Sequence, residues 1–223
     1  MGIRHFIWHD AFFLLQAAEW TVLLSVIAFI GGGLVGGLVA LGRVSRARPV
    51  RALTGVYVQI VQGTPLLIQL FIWYFGLSLV GAYLPPIAAA ALALTLYSSA
   101  FLGEVWRGSI EAIPRAQWEG SASLGLSRIQ QLWYVIVPQA IRMATPSTVG
   151  IMVQIVKNTS LTALIGFVEL ARAGQLINNL TFEPLPVFGC IAAFYFLICF
   201  PLSALSRRLE RRLHVGGALV ASA

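Results

Sequence analysis

The chain has 223 residues, 58% hydrophobic and only 10% charged, with a formal net charge of +7 and a mean hydropathy of +0.84. Soluble domains carry about a quarter charged residues, so this composition predicts a protein whose solvent is lipid. About five spans of roughly 20 residues each use up the length, which excludes a soluble catalytic domain within these residues.

Sparse charges outline the elements. Glu19 and Arg43 bracket an uncharged run that predicts a first span over residues 20–42. Its apolar core is longer than that of a signal peptide, Asp10 and Glu19 precede it, and no small-residue cleavage site stands out, so it reads as a permanent helix. Its Gly32/Gly36 and Gly33/Gly37 pairs suit close helix packing. Residues 52–103 lack charge and are too long for one crossing. Gly81 and Pro85-Pro86 divide them into spans at 58–80 and 87–103 joined by a tight turn. Lys157 is the only charge in a fourth span over 143–168, residues 184–206 form a fifth, and the connection 169–183 reads as an interfacial helix.

Lys and Arg give direction. Arg43, Arg46, Arg48 and Arg51 follow span one; Arg107, Arg115, Arg128 and Arg142 lie between spans three and four; Arg207, Arg208, Arg211 and Arg212 follow span five. This asymmetry predicts an N-terminus outside and a C-terminus in the cytoplasm, and marks a membrane side rather than a nucleic-acid surface. Cys190 and Cys199 share one apolar segment without metal-ligand spacing, and His5, His9 and His214 sit near the termini, so neither a metal site nor a bound cofactor is expected. With neither His nor carboxylate at depth in a span, the chain does not read as an enzyme.

The connection over residues 107–142 is long for a simple joint, and long loops tend to be functional. A helix over 116–124 stops at Gly125; Ser127 and Gln130 form a capping-box pattern that starts another helix at Arg128, and Pro138 is expected to interrupt it. Trp118, Leu124, Leu126, Leu132 and Trp133 offer an apolar knob to a groove on another protein, or an amphipathic pair lying on lipid.

Here the residues resemble a known family. Glu119-Gly120-Ser121, then Gly125, then Val135-Ile136-Val137-Pro138 follow the cytoplasmic-loop signature of ATP-binding-cassette importer permeases, Glu-Ala-Ala, three residues, Gly, nine residues, Ile-x-Leu-Pro. Gly63-Thr64-Pro65-Leu66-Leu67, Gly103-Glu104 with Arg107-Gly108, Pro138-Gln139-Ala140, Arg142, Pro146 and Lys157-Asn158-Thr159-Ser160-Leu161 are similar to the polar amino acid permeases. Gln62 stands where that family usually has Arg, Ala116 where Gly usually precedes Gln117, and Gly150-Ile151 where an Asn-Glu pair is common. The resemblance implies an all-α, multi-pass protein of the bacterial inner membrane with a coupling loop. It further implies two ATPase subunits that consume the ATP, a second permease chain, identical or related, and an external amino-acid-binding protein. Trp118, Glu119, Gly120, Ser121, Leu124 and Gly125 would then contact the ATPase.

Polar residues within spans are expensive in lipid and should face protein or a watery cavity. Gln154 and Lys157 lie three residues apart on roughly one helix face and, with Gln62 and Thr64, are candidates for the substrate pathway; Lys157 equally suits a structural tie to carbonyls or a partner. A self-contained secondary transporter or exporter is the alternative. The chain has no GxxxxGK[ST] phosphate loop, so ATP drive requires another subunit.

Overall fold

The computed structural model describes residues 4–220, with side chains described for 4–211; Arg212 and His214 lie outside the latter. All regular elements among the described residues are helical: α1 (Trp8–Arg43), α2 (Arg48–Gly63), α3 (Leu66–Leu79), α4 (Pro86–Glu111), α5 (Arg115–Ser123), α6 (Arg128–Ile165), α7 (Leu170–Thr181) and α8 (Pro184–Val220). Four of these, α1, α4, α6 and α8, are long and apolar enough to cross a membrane, and α2 with α3 makes a bent fifth candidate.

α1 starts well before residue 20 and runs straight past Glu19. At about 1.5 Å per residue it exceeds the roughly 30 Å hydrocarbon thickness. Asp10 accepts the Ile7 N–H at 2.9 Å and pairs with Arg4 at the helix start. Gly32 and Gly36 let α1 lie directly against α4. A Cβ on Gly32 would stand 2.5 Å from Ser98 Cβ, and one on Gly36 would stand 3.0 Å from the Ser99 carbonyl oxygen. Gly33 and Gly37 instead face the Trp106 ring at ordinary contact distance.

The second span departs from one straight helix over 58–80. The path bends by 101° between its two arms, and the reason is local. Pro65 has no N–H for the carbonyl four residues back, so Val61 would lose its partner. Gln69 Nε2 reaches back to donate to Val61 O at 2.8 Å and to Thr64 O at 3.1 Å. Thr64 Oγ1 donates to Ile60 O at 2.9 Å. Further on, Ile72–Gly76 is a π-helical turn. Pro85 and Pro86 sit at the start of α4, where a missing N–H costs nothing.

The main core gathers Leu24 and Ala28 of α1, Leu66 and Leu70 of α3, Ala90 and Leu94 of α4, and Ile155 of α6. A second cluster joins Leu14 and Ala17 of α1 with Leu170 and Ile177 of α7 and Val187 of α8. Beside it Glu169, fully buried, caps α7. It accepts the Ala171 and Arg172 N–H groups at 2.9 Å each and the Tyr195 hydroxyl at 2.9 Å, while Thr21 Oγ1 accepts the Leu170 N–H at 3.2 Å. Burial pushes the Glu169 carboxyl above its usual range despite these donors. At the same end Glu183 accepts the Phe6 N–H at 2.9 Å and pairs with His5 at 2.6 Å, and these contacts hold its carboxyl below the usual range.

Two outcomes follow from this packing. Gly32→Ala should lower stability in detergent by about 1–3 kcal/mol through overpacking, whereas Gly33→Ala, whose nearest neighbour is 3.8 Å away, should leave the thermal unfolding midpoint unchanged. The Glu183 clasp should be intact above the ordinary carboxylate value of 4.5 and weaken as pH falls through its lowered one. Exchange protection of the Phe6 amide in micelles should therefore drop on acidification, and Glu183→Gln should remove that pH dependence.

Candidate functional site

The segment between α4 and α6 is built as a rigid bracket. Pro114 precedes α5, and the Gln117 N–H donates to Pro114 O at 3.0 Å. At the far end Gly125 adopts φ 78°, a conformation that favours glycine. It donates to Ala122 O at 2.9 Å, and Leu126 donates to Ser121 O at 3.4 Å, the paired bonds of a Schellman stop. Ser127 then caps α6: its N–H donates to Gln130 Oε1 at 2.8 Å, and its hydroxyl accepts the Gln130 N–H. Gln131 Nε2 donates to Leu126 O at 2.7 Å, and Gln139 Nε2 to Gln117 Oε1 at 3.3 Å, tying α5 to α6.

α5 has two faces. Trp118 and Ser121, three residues apart, turn inward: Trp118, like Leu132, packs against the cluster of Ile110, Ile113, Ile136 and Ala140, and Ser121 is buried. Glu119, Gly120, Leu124 and Gly125 turn outward. Leu124 is 81% exposed, and no atom lies within 4 Å of a Cβ built on Gly120. The knob expected from Trp118 and Leu132 is thus an anchor on the chain's own body, leaving Leu124 and Trp133 exposed. Pro138 does not interrupt α6 as expected. A π-helical turn over Gln131–Ile136 precedes it, and the wider turn accommodates the missing N–H.

Ion pairs among charges already marked in the sequence, joined by Glu111, brace this end. Glu104 accepts from Arg43 Nε and Arg107 Nε, each at 2.9 Å, and Arg107 also pairs with Glu111. The signal was the i,i+3 and i,i+4 spacing of Glu104, Arg107 and Glu111; the arrival of Arg43 from α1 had none.

The candidate pathway residues do not form one pocket: Gln154 and Gln62 reach α4, whereas Lys157 borders a groove against Tyr195, Cys199 and Arg207 of α8. Gln154 Nε2 donates to the Tyr97 hydroxyl at 3.3 Å, and Tyr97 stacks near Phe101 at 4.6 Å between centroids. Gln62 Nε2 donates to Ala100 O at 3.3 Å, one turn further along. Thr64 is spent on the α2–α3 bend. Lys157 is exposed, with no carboxylate or carbonyl partner among the described residues. Ser147, Gly150, Gln154 and Lys157 form an outward-facing strip on α6. Among the described residues no three His, Cys, Asp or Glu side chains come together as metal ligands.

Residues 32–215 match the family of binding-protein-dependent transport system inner membrane components. The chain is 36% identical over 195 residues to the L-cystine transport system permease protein TcyB of Bacillus subtilis (strain 168), covering 87% of this chain and 83% of that one. It is 32% identical to the glutamine transport system permease protein GlnP of Escherichia coli (strain K12), covering 94% and 96%. A chain from the crystal structure of an amino acid ABC transporter with histidines superposes with a TM-score of 0.84 at 32% identity, over 90% of this chain and 94% of that one. An inward-facing form of the MetNI methionine ABC transporter shares the fold, with a TM-score of 0.77 at 18% identity, over 93% and 99%. With four candidate spans and a bent fifth, only helices among the described residues and a match over most of its length, the chain belongs to the binding-protein-dependent transport system inner membrane components, as a multi-pass permease of the bacterial inner membrane.

Proposed function

We propose that the chain forms half of the translocation pathway of an importer for polar amino acids, driven by two separate ATPase subunits and supplied by an external binding protein. Its Arg-rich end is cytoplasmic, as the positive-inside bias requires. The observation that carries this reading is the split character of α5. Trp118 and Ser121 fasten it to α4 and α6, while Glu119, Gly120 and Leu124 stay free on the outside. A helix held on one face and bare on the other suits a groove on a moving partner, because displacement there passes directly into the spans.

A second permease chain, identical or related, fits the polar strip of α6. An uncovered amide and ammonium at membrane depth need another protein surface or water, and Gln154 and Lys157 have too little cover in this chain. In the complex they face the pathway, where Gln154 contacts substrate and Lys157 suits a carboxylate. ATP enters as linkage: it must favour one arrangement of the assembly over another.

Glu119→Lys should leave membrane insertion and α-helical content intact while reducing binding-protein-dependent uptake by more than about tenfold. Retention of normal uptake, read with radiolabelled amino acids in reconstituted vesicles, would sink the coupling role. Gln154→Leu should raise the uptake KM by about tenfold, the equivalent of one hydrogen bond, with assembly unchanged by size-exclusion chromatography. An unaltered KM and substrate preference would remove Gln154 from the pathway.

A further inference from the structure

We propose that the Arg-rich end binds one anionic phospholipid, its phosphate among arginines of the α1–α2 turn and the starts of α5 and α6, and an acyl chain between α1, α4 and α6. The proposal rests on the reading that this end lies at the cytoplasmic membrane surface, and goes beyond solute transport.

An apolar cleft of about 450 Å³ lies between these three helices, lined by Gly37, Leu41, Trp106, Ile110, Ile141 and Met152 among others. Its volume falls within the range of about 300–1,000 Å³ common to small-molecule sites. The polar groups that reach it are already satisfied. Trp106 Nε1 donates to Thr148 Oγ1 at 3.0 Å, Thr148 donates to Ala144 O at 2.9 Å, and Thr145 donates to Ile141 O at 2.6 Å. The cleft therefore offers a polar solute nothing. It also lies away from the candidate pathway: Trp106 follows Tyr97 by nine residues, two and a half turns at about 3.6 residues per turn, on the opposite side of α4.

Leu41 and Ile110 also border a second pocket of about 550 Å³. That pocket is lined by Arg43, Arg46, Arg51, Arg115 and Arg128, with Glu111 the one acidic residue in its wall. Glu104 matches Arg43, Glu111 is engaged by Arg107, and Arg128 lies 4.6 Å over the Trp118 ring. Arg46, Arg51 and Arg115 have no acidic partner among the described residues. Gathered cations beside a satisfied apolar cleft match an amphiphile with a negative head. A soluble anion would leave the cleft empty, and a neutral lipid would leave the arginines unmatched. Bound there, the phosphate ties the α1–α2 turn to both ends of the coupling bracket, since Arg115 opens α5 and Arg128 opens α6.

The test uses the full chain purified in mild detergent and stripped of lipid, titrated with dioleoylphosphatidylglycerol or dioleoylphosphatidylcholine and read by native mass spectrometry and thermal unfolding. The anionic lipid should bind at least about tenfold more tightly than the neutral one. The combined variant Arg46→Gln/Arg51→Gln/Arg115→Gln should bring the two to near parity. Gly37→Leu, which fills the cleft, should weaken the anionic lipid without changing helical content; the surface arginine variant keeps the test decisive where the packing change disturbs folding. Inorganic phosphate and glycerol 3-phosphate should not reproduce the stabilisation. Equal affinity for both lipids, a preference that survives the arginine variant, or stabilisation by inorganic phosphate equal to that by the anionic lipid would each overturn the proposal. Loss of uptake in Glu119→Lys is read separately, so failure here leaves the importer reading standing.

Discussion

A bilayer interior holds no water to receive hydrogen bonds, so each backbone carbonyl a helix break frees must be met from within the protein. That constraint governs the sharpest bend in this chain. Pro65 withdraws the donor that Val61 needs, and Gln69 supplies it from one turn beyond. The bend carries α3 across Leu24, Leu94 and Ile155 and so shapes the central core. The same requirement recurs at the opposite end from the arginine cluster of α1–α2 and the coupling bracket. Glu169 takes two N–H groups of α7 and the Tyr195 hydroxyl at once, joining α7 to α8 beside Thr21 of α1.

Steric closeness does the rest. Gly32 and Gly36 remove the side chains that would separate α1 from α4, bringing backbone to backbone contact distance. On that base Arg43 reaches Glu104, and the α1–α2 turn settles next to the coupling bracket. Trp118 then fixes α5 to the ends of α4 and α6. The outer face of α5 and the polar strip of α6 remain the places where this chain alone is unfinished.

Local chemistry was legible where one residue type has one physical use. Gly125 was readable as a helix stop because a positive φ suits little else, and Ser127 with Gln130 was readable as a cap because its partners lie three residues apart. Prolines were less readable. Pro138 looked like an interruption, yet a π-helical turn lets α6 continue through it. Pro65, inside an uncharged run, gave no warning of a right-angled bend, because hydropathy counts length and not direction. Glu119 and Trp118 were equal candidates in sequence; only the docking of α5 put one outside and the other in.

The sequence by itself determined that the chain lives in lipid, about how many times it can cross, which end gathers the arginines, and where the bracket between α4 and α6 begins and stops. These follow from composition, charge spacing and capping chemistry, all of which act within a few residues of the chain. Only the tertiary structure decided that span two is bent, that Arg43 meets Glu104 61 residues away, and that an apolar cleft opens beside unpaired arginines. Those outcomes depend on which helix faces meet, and residues far apart in the chain leave no periodic signal of their meeting.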